Sequence, residues 1–126
     1  MATTATPETK APPLRFRKSN RILRTSDFQR AYTQGKRIAG QYFTAFCLKV
    51  PCNPGPRFGF TTPRALGKAV VRNRVKRRIR EMLRIRFFEF APEWDIVINS
   101  RRAAFAAATG ELARELDRLI AQCAKL

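Results

Sequence analysis

Histidine is absent from this chain of 126 residues, and its nine acids, Glu8, Asp27, Glu81, Glu89, Glu93, Asp95, Glu111, Glu115 and Asp117, are scattered along it. A protein that hydrolyses phosphodiesters normally shows paired carboxylates around metal ions, or an imidazole that shuttles a proton. Neither is present, and the closest acids, Glu93 and Asp95, read as the solvated start of a strand. There is no phosphate-cradling glycine loop, no dinucleotide fingerprint and no nucleophile elbow. Cys47, Cys52 and Cys123 form no CxxC pair and have no histidine to complete a zinc site, so they read as reduced thiols. Catalysis carried by the protein is not expected.

What these residues can do is bind a polyanion. From Arg64 to Arg86 there are ten basic residues against one acid, Glu81, and the whole chain carries a net charge of +17. Self-repulsion of that size opposes compaction unless anions screen it. Arg72, Lys76, Arg80 and Arg84 recur every four residues, which on a helix makes a row spaced about 6 Å apart, close to the spacing of phosphates along a nucleic-acid strand. Asn73 in the same stretch adds a donor and an acceptor that phosphate alone does not require. No apolar run approaches the roughly 18 residues that span a bilayer, and the basic stretch lacks an exposed aromatic face for lying on one. No leucine heptads follow it, which disfavours a zipper-type DNA reader. Phe28, Tyr32 and Phe46 can offer stacking surfaces to single-stranded bases, a mode typical of RNA.

These groups need a scaffold, and the hydrophobic pattern supplies one. The opening MATTATPETKAPP, residues 1–13, has no apolar signal core and reads as a disordered tail, leaving 14–126 as a single domain in a cytoplasmic protein. A short helix is expected over Asp27–Gln34, capped by Thr25 or Ser26 and stopped by Gly35, with Phe28 and Tyr32 on one face. An extended piece at Arg37–Gly40 precedes a strand over Gln41–Val50, whose Tyr42, Thr44, Phe46 and Leu48 oppose Phe43, Ala45 and Cys47. After the turn PCNPGP, a strand over Arg57–Thr62 is expected to pair back as a hairpin. The basic stretch reads as a helix from Leu66 or Gly67 to Phe90, about 35 Å long, with Val71, Val75, Ile79, Met82, Leu83 and Phe90 on its buried face and Pro92 as its stop. Arg86 falls toward that buried face and has no obvious place there. Trp94–Ser100 is a strand, and Thr109 caps a last helix with Leu112, Leu116, Leu119, Ile120 and Cys123 inward. Strand, helix, strand implies a crossover between parallel neighbours. The order α-β-β-β-α-β-α describes an α+β domain, a two-layer α/β sandwich.

The run GKAVVRNRVKRRIRE closely resembles the signature of the bacterial ribonuclease P protein subunit, here as Arg72, Asn73, Arg74, Lys76, Arg77 and Arg80 with Gly67 and Ala69 in place. The likeness extends to RILRTSDFQRAYTQG, RFGFTTPR and WDIVINSRR, and so covers most of residues 14–123. Ala65 departs from it, standing where the family often has a second basic residue; Tyr32 replaces another aromatic. The resemblance implies a small α/β sandwich with a left-handed β-α-β crossover, although generic chirality favours the right-handed form. It implies partnership with a catalytic RNA that, with magnesium, removes the 5′ leader of precursor tRNA, while the protein itself binds no metal. It implies RNA contact by Arg64, Lys68, Arg72, Asn73, Arg74, Lys76, Arg77 and Arg80. The leader is expected in a cleft between the first helix and the sheet, drawing on Arg21, Phe28, Tyr32 and Phe46. Neither DNA nor a membrane is an expected partner. The competing reading is a ribosomal or chaperone-like RNA-binding protein with no enzymatic role.

Overall fold

The computed structural model describes residues 20–51, 53 and 55–125; the expected tail at 1–13 and Cys52 lie outside the described residues. In chain order the elements are α1 (Thr25–Gln34), β1 (Lys36–Ala39), β2 (Phe43–Lys49), β3 (Arg57–Thr61), α2 (Ala69–Ile85), β4 (Trp94–Ser100) and α3 (Thr109–Ala124), with single 3-10 turns at Arg64–Leu66, Phe87–Glu89 and Arg102–Phe105. One sheet orders the strands β1-β2-β4-β3. β1 and β4 both run antiparallel to β2, while β3 and β4 are parallel neighbours joined through α2. This is the expected mixed α and β domain, with its helices divided between the two faces of the sheet.

The expected β2–β3 hairpin does not form, because β4 lies between the two strands. Ile96, Val97 and Ile98 of β4 are fully buried on both faces of the sheet. A strand apolar on both sides must be covered on both sides and paired on both edges, so it takes a central position. The proline-rich turn after β2 therefore reaches across two strand spacings, roughly 9.6 Å. Asp95, read as solvated, is instead one of the least exposed side chains of the sheet at 1%. Its carboxylate accepts from Arg57 Nε at 2.9 Å and Nη2 at 2.5 Å and from Asn53 Nδ2 at 2.8 Å. Arg57 also lies 3.6 Å from Asp27, tying the first turn of α1 to the sheet, and the Asp95 carboxylate raises its guanidinium pKa above the ordinary value.

One sheet face carries the main core, in which Phe43, Ala45, Cys47, Phe58, Ile96 and Ile98 pack against Val75, Ile79 and Leu83 of α2 and Leu112, Leu116, Leu119 and Cys123 of α3. The other face holds a smaller cluster of Ile22, Ala31 and Val97 with Phe28 and Phe46 against it. α2 is shorter than its pattern suggests and ends at Ile85, well before Pro92. The Arg86 N–H bonds to carbonyls of the last turn, and the following 3-10 turn brings Phe87 and Phe90 to 6.4 and 5.1 Å from the Phe58 ring. Aromatic packing in the core thus stops the helix before proline can. Arg86 finds its place as an ion-pair bridge, to Glu89 at 3.2 Å and to Asp117 of α3.

Helix ends also differ from expectation. Thr25 and Ser26 lie inside α1, whose preceding residue, Arg24, is extended and makes no side-chain cap. Thr109 is likewise within α3, where Glu111 Oε1 accepts from the Ala108 N–H at 3.1 Å. Gly35 does stop α1, with an ordinary φ of −79°; a Cβ there would stand 2.5 Å from the Ala31 oxygen. Cys47 and Cys123 are buried free thiols with their sulfurs 2.9 Å apart, and their shared proton and apolar surroundings push the Cys47 thiol pKa up.

Glu115 of α3 is buried, and its carboxylate accepts the backbone N–H groups of Gln41, Tyr42 and Phe43 at 2.7 to 2.9 Å. Removing all three acceptances with Glu115→Ala is expected to lower stability by about 3 kcal/mol. Glu115→Gln, which keeps one acceptor oxygen, should lose roughly half of that. Urea unfolding reads both; equal losses would show that side-chain packing, and not hydrogen bonding, joins α3 to this loop.

Candidate nucleic-acid interface

Helix α2 is anchored by Val75, Ile79 and Leu83, which are fully buried, and this fixes where its cations point. Asn73, Arg74, Arg77 and Arg80 are exposed, Arg72 and Lys76 half-buried, and Arg64 and Lys68 stand exposed on the turn that leads into the helix. Among the described residues, none of these seven cations pairs with a carboxylate. Arg72 Nε donates to the Gly67 carbonyl at 3.1 Å, which holds the side chain along the helix start. Gly67 itself has φ of 158°, at the border of the range L-residues avoid.

The second half of α2 behaves differently. Arg84, the fourth member of the sequence row, turns to Glu81, with Nε 3.0 Å from Oε1; that contact holds the Glu81 carboxyl below the usual carboxylate range. Arg78 donates to the Ala107 carbonyl at 2.7 Å, and Arg86 bridges to α3. Arg78 and the cations beyond Arg80 are thus absorbed into the scaffold, and the open row comprises Arg72, Lys76 and Arg80. At the end of that row the Arg80 guanidinium lies 5.5 Å from the centroid of Phe60. Burial there, followed by the charges of Arg21 and Arg77, lowers its pKa from the ordinary value, and it remains charged at neutral pH.

Arg21 reaches this corner because residues 20–22 run beside β3. The Ile22 N–H donates to Phe58 O at 2.9 Å, Arg21 bridges Phe58 in parallel, and Asn20 Nδ2 donates to Pro56 O at 3.1 Å. Of the four residues expected in the cleft, Arg21 therefore stands with the end of the basic row. The other three gather where α1 crosses β2 and β4. Phe28 is half-buried over Gly59, where a Cβ would come within 2.7 Å of its ring. Tyr32 is exposed and meets Phe46 edge-on at 4.9 Å. One exposed ring, Tyr32, and two half-buried rings, Phe28 and Phe46, thus line the cleft.

Sequence reasoning missed three participants. Phe60 supports Arg80. Asn99 Oδ1 accepts the Tyr32 hydroxyl at 3.1 Å and also the hydroxyl of Thr61, which sits beside it on β3. The available clue was Asn99 itself, a polar residue next to the apolar run Ile96–Ile98, on the face opposite Ile98. Among the described residues no three His, Cys, Asp or Glu side chains lie close enough together to hold a metal ion, and no helix is long and apolar enough to cross a membrane. A recess of about 650 Å³ between α3 and the β1–β2 loop is lined by Glu111, Glu115 and Asp117 together with Arg114 and Arg118, so it presents charge of both signs.

Comparison with known proteins agrees with this arrangement. A chain named ribonuclease P protein component from Acidothermus cellulolyticus is 40% identical over 79% of this chain and 84% of its own length. Its counterpart from Symbiobacterium thermophilum is 36% identical over 82% and 90%. The solved structure of the Staphylococcus aureus RNase P protein superposes with a TM-score of 0.75 at 30% identity, covering 86% of this chain and 97% of that one. The RNase P protein from Thermotoga maritima gives 0.71 at 26% identity, with 79% and 94% covered. Residues 16–124 match the sequence model of the family described as Ribonuclease P, and the chain belongs to that family.

Proposed function

We propose that this ribonuclease P protein component binds the catalytic RNA of the holoenzyme along Arg64, Lys68, Arg72, Asn73, Arg74, Lys76, Arg77 and Arg80, and holds the 5′ leader of precursor tRNA in the cleft of Phe28, Tyr32 and Phe46, with Arg21 at its edge. The observation that carries this reading is the separation of charge on α2. Arg84 and Arg86, past Arg80, are tied to acids and Arg78 to a carbonyl, whereas the other cations up to Arg80 have no carboxylate partner among the described residues, and Arg80 itself rests beside the half-buried Phe60 ring. Phosphates are the complement of such a row, and bases are the complement of the rings.

The chemistry is assigned to the RNA, with magnesium held there. Magnesium favours carboxylate and phosphate oxygens, and the described residues gather no carboxylate cluster. The protein's part is to bind and to orient: a helix fixed by its buried stripe meets RNA as a rigid array, and the cleft adds affinity for substrate that still carries its leader. A cytoplasmic setting suits both partners and the free thiols of Cys47 and Cys123.

Reconstitution tests the reading as a whole. The protein alone should leave precursor tRNA intact, and with a bacterial ribonuclease P RNA at low magnesium it should restore correct 5′ cleavage; no stimulation over RNA alone would defeat the proposal. Arg77→Ala is expected to weaken binding to that RNA by about 1 kcal/mol and to make the slope of log affinity against log salt shallower by about one. An unchanged slope would remove Arg77 from phosphate contact. Tyr32→Ala should weaken leader-bearing substrate by about 1–3 kcal/mol while sparing mature tRNA; equal loss for both would make the ring a purely structural one.

A further inference from the structure

Cys47 of β2 and Cys123 in the last turn of α3 meet in the main core, 76 residues apart in the chain, with their sulfurs 2.9 Å apart and both thiols free. A disulfide is about 2.05 Å long, so closing this pair takes a sulfur movement of roughly 0.9 Å, which side-chain rotation supplies. The two elements are already held together. Glu115, about two turns before Cys123 on α3, accepts three N–H groups from the loop before β2 and the start of that strand. Leu116 and Leu119 pack in the same core as Phe43 and Ala45. The backbone therefore needs no rearrangement to bring the thiols into bonding range.

What can reach the pair decides its chemistry. Both thiols are buried, but Cys123 lines a cavity of about 100 Å³ together with Phe90, Trp94 and Ile120, and Glu89 and Ala124 of the same lining are exposed. Cys47 is not part of that lining. A molecule little larger than water, whose share of the liquid is about 30 Å³, fits this space, and a bulky disulfide such as oxidised glutathione does not. Cys123 is thus the thiol that meets a small peroxide first. Contact with Cys47 lowers its pKa against the opposing effect of burial, which favours the thiolate that attacks. A sulfenic acid formed at Cys123 then has a second thiol beside it, and condensation of the two gives a disulfide.

We propose that Cys47 and Cys123 form a peroxide-sensitive modification site that closes into an intrachain disulfide and fastens α3 to β2. The Cys123 sulfur attacks one oxygen of hydrogen peroxide, the O–O bond breaks, and the departing hydroxide takes the thiol proton and leaves as water. The Cys47 sulfur then attacks the sulfenic sulfur of Cys123, the S–O bond breaks, and hydroxide leaves with the Cys47 proton as a second water. The pair loses two hydrogens and two electrons, and the peroxide is reduced to two waters. The new bond lies on the core face of β2, opposite Phe46, and on α3 and not α2. The open row and the ring-lined cleft therefore keep their side chains.

Treating the folded full chain with hydrogen peroxide, then alkylating and mapping its peptides, tests this. The unaltered protein and Cys52→Ser, which removes the third thiol, should both lose two hydrogens in mass and yield a cross-link between the Cys47 and Cys123 peptides, reversed by dithiothreitol. The oxidised form should melt about 10 °C above the reduced one and bind a bacterial ribonuclease P RNA as tightly. Cys123→Ser should abolish both the cross-link and the reversible shift in melting; the map of the unaltered chain stands even where that variant fails to fold. Added oxygen at Cys123 without a cross-link, a bridge to Cys52 in place of Cys47, or thiols that stay free in excess peroxide would overturn the assignment. An unchanged or lower melting temperature would overturn the fastening of α3, and weaker RNA binding would overturn its separation from the RNA-binding surfaces.

Discussion

Mutual repulsion among twenty-six basic side chains, set against nine acids, is the constraint around which this small domain is arranged. A compact fold cannot neutralise them all, so the placement of the few carboxylates decides which cations stay open. Asp95 and Asp27 hold Arg57, Glu81 holds Arg84, Glu89 and Asp117 hold Arg86, and Glu115 faces Arg118. Most of these pairs join two elements or lie at the end of α2, and Glu115–Arg118 lies within α3. None reaches the stretch from Arg64 to Arg80. Positive charge is thereby concentrated on one edge, where unscreened like charges raise the affinity for a polyanion and make it depend on salt.

Two of these carboxylates do more than balance charge. Asp95 is nearly inaccessible and bonded by Arg57 and Asn53; Glu115 is buried against three backbone N–H groups. A buried carboxylate is tolerated only when its lone pairs are filled this fully. Through Arg57 the first fixes the start of α1 over β4, and the second fixes α3 to the loop before β2. The cleft between α1 and the sheet depends on the first of them, since α1 otherwise rests on that face through the small cluster of Ile22, Ala31 and Val97.

Much of this was legible in the sequence, and what escaped has a common cause. Periodicity located every helix and strand, because Val75, Ile79 and Leu83, or Leu112, Leu116 and Leu119, are spaced for one buried face whatever the fold. The resemblance carried by RNRVKRRIR supplied the family. Pairing was not legible locally: nothing within β3 reveals that β4, formed after α2, will separate it from β2. Nor was the end of α2, which Phe87 and Phe90 set by reaching Phe58 about thirty residues earlier in the chain. Asp95 reads as a solvated acid and Glu115 as one of nine scattered ones, since their partners lie 38 and more than 70 residues away. The partners of Asn99, the hydroxyls of Tyr32 and Thr61, are likewise distant in the chain.

The row and the cleft lie on opposite faces of the sheet, and β3 is the edge strand at which they meet. Phe60 points to the α2 side and carries Arg80, while Thr61, the next residue, points to the cleft side and bonds Asn99. Successive side chains of a strand are about 3.3 Å apart along the chain, so the residue that carries Arg80 and the residue that bonds Asn99 are neighbours across one peptide. Residues 20–22 pair with β3 at Phe58, toward the start of the strand, so the crossing point lies at its other end. Arg80, at the end of the row, and Asn99, in the cleft, are thus joined through one stretch of edge backbone. Because β4 and not β2 is the neighbour of β3, this edge strand brings the basic row and the ring-lined cleft to one margin of the sheet.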